Sequence, residues 1–238
     1  MTTIRLISSM ATKALLADLV ALYNAQAPDV QVQLESVGGV DAAKRVQAGE
    51  AFDVVVLASD AIDKLVASGH VLAGSRADLV RSGVAVAVPA GQPVPDISTE
   101  AALKAAILAT PTLGYSTGPS GVQLAKQFEA WGIAETIAPR IVQAKPGVPV
   151  GSLVAQGDVA LGFQQLSEML GVPGITIVGG LPPAVEIITT FSGSVAATSN
   201  QADAVRTMLA FWASAACADT KVRHGMQAAP VGATPPSR

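Results

Sequence analysis

Ile4-Arg5-Leu6-Ile7, Ser8-Ser9-Met10-Ala11-Thr12 and Lys13-Ala14-Leu15-Leu16-Ala17-Asp18-Leu19-Val20 read in order as an apolar strand, a loop of small hydroxyl residues and an amphipathic helix. The second half repeats the pattern in Thr112-Leu113-Gly114-Tyr115, Ser116-Thr117-Gly118-Pro119-Ser120-Gly121 and Val122-Gln123-Leu124-Ala125-Lys126-Gln127-Phe128. A helix N-terminus leaves backbone N–H groups unpaired and carries a partial positive charge, to which Ser and Thr hydroxyls add neutral donors. Two such ends acting on one ligand hold a small anion without a cationic side chain.

Outward from these stretches, strand and helix patterns alternate. Helix Lys13–Ala25 is followed by strand Val30–Leu34, a tight loop Ser36-Val37-Gly38-Gly39 and helix Asp41–Ala48, which Gly49 ends at the C′ position. Phe52–Leu57 is a near-continuous apolar strand, the signature of a parallel sheet covered on both faces. Ala58-Ser59-Asp60 turns it into helix Ala61–Ser68, and Gly83–Pro89 is the next strand. The second half reads as helix Thr99–Leu108, strand Thr112–Tyr115, helix Val122–Trp131, strand Ile141–Gln143, helix Gly151–Gln156 and strand Ala160–Phe163. Strand Ile175–Val178, a loop Gly179–Pro183, strands Val185–Thr190 and Ser194–Ala197, and a helix Ala202–Ala215 capped by Ser199 or Asn200 follow. The tail from Gln227 reads as loose. This alternation predicts an α/β fold with mostly parallel sheets and helices on both faces.

Composition narrows the function. The chain has 238 residues, half of them hydrophobic and 14% charged, enough for a sizeable core in one large or two small domains. A net charge of −3 with no extended Lys/Arg cluster argues against nucleic acid as a partner. No apolar run reaches the roughly 18 residues of a membrane span. Met1-Thr2-Thr3 leads into the first strand without a basic region or cleavage site, so a cytoplasmic location is expected, or a periplasmic one for a chain whose leader has been removed. Cys217 is the single cysteine, and His70 and His224 stand apart, so no metal set is expected. Phosphate-loop, dinucleotide and nucleophile-elbow motifs are missing, and no cofactor is expected.

The chain resembles the type II periplasmic-binding-protein fold, above all its molybdate-binding-protein-like branch, over roughly residues 3 to 229. The resemblance rests on Ile7–Leu15, Gln47–Val55, Leu79–Gly91, Gly114–Gly121 and Gly162–Glu168, taken together and in order. It implies two α/β lobes, residues 1–86 with 188–238 and residues 87–187, joined by hinge strands near 82–88 and 187–192, with the ligand in the cleft between them. The departures matter as much. Met10 stands where molybdate receptors offer a serine, Val37-Gly38-Gly39 replaces a serine-rich loop, and Gln164 or Gln165 replaces a tyrosine. Glycines allow close backbone approach and can form an anion nest, while glutamine amides suit carboxylates or hydroxyls. A larger organic anion is expected in preference to molybdate.

Two function classes follow. The resemblance extends to aconitate isomerase-type enzymes, in which such a cleft holds an unsaturated tricarboxylate while a proton moves between allylic carbons. The alternative is a solute-binding protein for an organic acid or oxyanion, delivering to an ABC permease. Ser8, Ser9, Met10, Gly38, Gly39, Ser59, Ser116, Thr117, Ser120, Gln164 and Gln165 are the candidate ligand contacts. The hydroxyls could equally be helix caps, and the glycines a plain turn. Arg81 is a candidate carboxylate clamp, or else faces solvent or pairs with Asp78. Glu168 is the candidate proton-transfer base, and Lys13 a first-turn cation that could reach the ligand.

Overall fold

A computed structural model of the chain describes residues 1–230. In chain order the elements are β1 (Thr2–Ser9), α1 (Lys13–Gln26), β2 (Val30–Val37), α2 (Gly39–Gln47), β3 (Val54–Ala58), α3 (Ser59–Ala67), β4 (Ala77–Pro89) and α4 (Glu100–Ala109). Next come β5 (Leu113–Ser116), α5 (Pro119–Ala130), α6 (Ala134–Ile137), β6 (Ile141–Ala144), α7 (Val150–Gln156), β7 (Leu161–Gln165), α8 (Leu166–Met169) and β8 (Ile175–Gly180). The chain closes with β9 (Ile188–Val195), α9 (Ala202–Ala213), α10 (Ala218–Arg223) and β10 (Met226–Ala228). Two compact units result: Met1–Arg81 with the described residues from Thr190 onward, and Ser82–Thr189. No helix among the described residues is long and apolar enough to cross a membrane.

In the first unit β1 pairs in parallel with β2 and β3, and β9 runs antiparallel beside β3. Successive residues of β3 serve opposite faces. Val54 and Val56 pack with Leu15, Leu16 and Leu19 of α1 and with Met208, Leu209 and Trp212 of α9. Val55 and Leu57 pack with Ala42 and Val46 of α2 and Ile62 and Leu65 of α3. Helices on both faces explain the unbroken apolar run that the sequence shows here.

In the second unit β7, β5 and β6 run parallel, and β4 pairs antiparallel with both β7 and β8. Val84, Val86 and Val88 share a core with Leu103 and Ile107 of α4 and Leu124 and Phe128 of α5. Against the other face lie Val150 and Val154 of α7, and Gly162 makes room for them. A Cβ there would stand 2.4 Å from Val154 and 3.1 Å from Val150.

Several boundaries differ from the sequence reading. β9 is one strand where two were expected, with Ser192-Gly193 continuing the ladder instead of turning. Both flanking hydroxyls are buried and bonded, Ser192 donating to Asp78 at 2.6 Å and Ser194 sharing 2.6 Å with Ser75. Gly179 and Gly180 belong to β8, where Gly179 adopts φ 152° beside the register shift at Val86/Ala87, a bulge in place of a loop. Gly38 and Gly39 do not form a tight loop: Val37 ends β2, Gly38 is the N-cap, and the helix begins at Gly39. Gly49 does close that helix, at φ 78°. Thr99 caps α4, accepting from the Ala102 N–H at 3.1 Å. Ser199 and Asn200 do not cap α9, whose N-cap is Gln201; the Ser199 hydroxyl instead donates to Asp53 at 2.7 Å. The expected loose tail forms β10 first, with the Ala229 N–H donating to the Leu79 carbonyl; its remainder from 231 lies outside the described residues.

Gly162→Ala is expected to destabilise the fold by about 1–3 kcal/mol, because two short β-branched side chains cannot bend away from the new methyl group. Thermal denaturation checks this; an unchanged midpoint would contradict the close packing of α7 on β7.

Candidate functional site

In the first unit, strand register decides which residues meet. Ser9 stands beside Val37 and Ser8 beside Val56, so the carboxyl ends of β2, β1 and β3 align. That edge gathers Ser8-Ser9-Met10, Gly38-Gly39 and Ser59, and open α/β sheets take ligands at such edges. Ser8 is committed to structure, with its hydroxyl 2.8 Å from that of Ser36 and 3.1 Å from the Ser9 carbonyl. Ser9 is different: it is 8% exposed and its Oγ has no partner among the described residues. A Cβ on Gly39 would stand 3.6 Å from the Ser9 Cβ, so the start of α2 lies against this orphan hydroxyl. The first bond of α2 runs from the Ala42 N–H to the Gly38 carbonyl, which leaves the N–H groups before Ala42 outside the helix ladder.

Met10 opens a short 3-10 turn, Met10–Thr12, between β1 and α1. Thr12, which the sequence reading passed over, braces that turn by donating to the Ser9 carbonyl at 3.3 Å. Lys13 is exposed at the first position of α1. Ser59 is the first residue of α3, after the N-cap Ala58. The charges at these helix starts differ. α2 and α3 carry Asp41 and Asp60 in their first turns, whereas neither the Met10–Thr12 turn nor α1 has an acid there. Arg81 is half-buried in β4 and has no ion-pair partner among the described residues. Its alternative partner Asp78 is occupied by Arg76 at 2.8 Å and by Ser192.

The second unit repeats the layout, with Tyr115 beside Phe163 and Ser116 beside Ala144 aligning the carboxyl ends of β7, β5 and β6. Ser116 Oγ accepts from the Gly118 N–H at 3.3 Å, and Gly118 is the N-cap of α5 with Pro119 at the next position. The first turn of α5 has no acid either. Ser120 is buried in that turn and Thr117 is exposed beside it. Gly121 is obligatory, because a Cβ there would sit 1.7 Å from the Ser116 carbonyl oxygen. A hollow of about 380 Å³ begins at Thr117 and Gly121 and runs along α5 to Lys126 and Glu129. Lys145, just beyond β6, is an exposed cation that the sequence reading also missed; its position after a strand end was the available signal.

Gln164 and Gln165 lie within β7, not after it, and their side chains are buried. Gln164 is engaged at both ends of its amide: Oε1 accepts from the Val150 N–H at 2.9 Å, and Nε2 donates to Glu168 Oε1 at 3.0 Å. Gln165 Nε2 donates to Thr189 Oγ1 at 2.9 Å, and its Oε1 is buried without a partner. Burial pushes the Glu168 carboxyl up to about 7, against the lowering effect of the Gln164 hydrogen bond. Glu168 is thereby a group that exchanges a proton near neutrality. The described residues contain no group of three or more His, Cys, Asp or Glu side chains placed to hold a metal ion.

Residues 4–227 match the family of bacterial extracellular solute-binding proteins. The chain is 38% identical over 187 residues to an aconitate isomerase of a Pseudomonas species, covering 78% of this chain and 71% of that protein. Its fold superposes on the periplasmic molybdate-binding protein of Azotobacter vinelandii with a TM-score of 0.77 at 18% identity, over 94% of this chain and 98% of the other. The sulfate-binding protein SubI of Mycobacterium tuberculosis H37Rv gives 0.77 at 18% identity, over 97% and 88%. On its α/β fold of the periplasmic molybdate-binding-protein type, the chain belongs to the bacterial extracellular solute-binding protein family.

Proposed function

We propose that this protein binds an unsaturated di- or tricarboxylate and isomerises it by an allylic proton shift. The observation that carries this reading is the 38% identity with an aconitate isomerase over most of the chain. The site chemistry agrees with it. In each unit the hydroxyl-rich turn after a strand opens a helix with no first-turn acid, and so offers neutral donors to a carboxylate. In the first unit Ser9 is the proposed hydroxyl donor; in the second, Ser116, Thr117 and Ser120 are. Arg81 and Lys13 are the cations proposed to screen a further carboxylate.

Glu168 is proposed as the acid–base group. Its carboxylate takes a proton from the allylic methylene carbon, and the released electron pair forms the new double bond. The electrons of the old double bond then receive a proton at the far carbon. The product has the composition of the substrate, so the step calls for no redox partner. Helix-end N–H groups stabilise the charge that builds on the adjacent carboxylate as the carbon loses its proton. The competing reading is a receptor that hands an organic acid to a permease, favoured by the membership of the family. Molybdate is the weaker candidate in both readings. Met10 and the Gly38-Gly39 pair withdraw hydroxyls that a compact tetrahedral oxyanion needs.

Incubation with cis- or trans-aconitate is expected to raise the thermal midpoint, since a ligand at 100 times its Kd stabilises by about 2.7 kcal/mol. Proton NMR is expected to show vinyl signals interconverting, with deuterium entering the product in heavy water. Binding without conversion supports the receptor and removes the isomerase.

Ser9→Ala and Ser120→Ala are each expected to weaken binding about tenfold, the loss of one hydrogen bond to a charged group. Calorimetry reads each variant separately, and a variant that binds as tightly as the native protein would remove its serine from the ligand contacts.

Glu168→Gln is expected to keep binding and to lower kcat at least about 100-fold. Because the base must be ionised, native kcat is expected to rise with pH through about 7 and to fall away below it. A flat profile from pH 5 to 9 would exclude Glu168 as the base.

A further inference from the structure

We propose that Gln164 is a positioning residue for proton transfer at Glu168: it relays the first N–H of α7 through its own amide to Oε1, leaving Oε2 as the oxygen that exchanges the proton. The inference rests on the isomerase reading for its catalytic meaning, and on geometry for the rest.

Gln164 comes from a buried strand, where an amide must find partners for both its ends or lose stability. Both are found. The Val150 N–H donates to Oε1 at 2.9 Å, which fixes the amide so that its nitrogen points to Glu168, and Nε2 donates to Oε1 of Glu168 at 3.0 Å. Val150 opens α7, so its N–H has no carbonyl inside that helix to serve. The two bonds point the same way and polarise each other, and both favour negative charge on Glu168. Glu168 Oε2 makes no hydrogen bond among the described residues.

Among the segments packed against α8 are β7, α7, β8 and the stretch of β4 from Ser82 to Pro89, and these contain no ionisable side chain. The protonation of Glu168 is therefore governed by two opposed influences, burial raising its affinity for the proton and Gln164 lowering it. Without Gln164 the carboxyl would hold its proton to higher pH and supply less base at neutrality. This assignment gives Gln164 a role at Glu168 instead of at the ligand, with its oxygen and one of its two N–H bonds engaged.

The test uses the full chain with Gln164→Met, which deletes both bonds, and Gln164→Glu, which keeps an acceptor for Val150 but offers Glu168 no amide donor. Glutamate carboxyl carbons labelled with ¹³C report the titration of residue 168, assigned by its loss in Glu168→Gln. The midpoint is expected near 7 in the native protein. In Gln164→Met, and for the upper step of the coupled pair in Gln164→Glu, it is expected about one unit higher or more. A one-unit rise leaves about tenfold less carboxylate below the midpoint. With aconitate as the substrate, kcat at pH 6 is therefore expected to fall about tenfold with KM within about threefold of native. Unmoved midpoints in both folded variants, or a KM that rises as kcat falls, would overturn the role of Gln164. A native protein that titrates near 7 but moves no proton on aconitate would instead sink the isomerase reading, and the catalytic role with it.

Discussion

A helix that begins where a buried parallel strand ends must turn its first N–H groups away from its own ladder, and the rest of this molecule is arranged around that requirement. Both units meet it in the same way. Parallel strands covered on two faces bring several helix starts to one edge, where small residues let backbone and hydroxyl donors converge. What separates one helix start from another is charge. α2 and α3 carry Asp41 and Asp60 in their first turns, whereas the starts of α1 and α5 have no acid. Gly121 shows how tightly the second of these is built, since any side chain there would collide with the end of β5.

Buried polar groups carry a second layer of information. Most are paired, as Ser8 with Ser36, Ser194 with Ser75 and Ser192 with Asp78. Such pairs allow polar residues inside strands at little cost. The Ser9 hydroxyl and the Gln165 carbonyl oxygen are exceptions, buried beside strand ends with no partner. An unpaired buried polar atom costs about 1–3 kcal/mol, and a site that tolerates it regains that energy when a ligand supplies the partner. Glu168 belongs to the same economy: its burial is tolerable because Gln164 reaches it, and their balance leaves a carboxyl able to gain and lose a proton near neutrality.

Much of the fold was legible in the residues. The strand–loop–helix pattern at Ile4–Val20 and Thr112–Phe128 and the apolar run at Val54–Leu57 appear where local chemistry places them. Ser192-Gly193 and Gly179-Gly180 carry the chemistry of turns, but in the folded protein they pair within strands, where a neighbouring element supplies their hydrogen bonds or demands their small size; Gly38-Gly39 instead open α2. Leu209 above Gly193 and the bulge at Gly179 are long-range facts with no local trace.

The site divides along the same line. Local sequence was enough to single out the two hydroxyl-rich helix starts and to place Glu168 just beyond a strand end, because capping chemistry and strand endings are written in neighbouring residues. It could not tell Ser8, spent on Ser36, from Ser9, left without a partner, nor Gln164, committed at both ends, from a free amide. Those distinctions depend on strand register and on helices distant in the chain, which decide what each buried polar atom finds beside it; only tertiary structure holds that information.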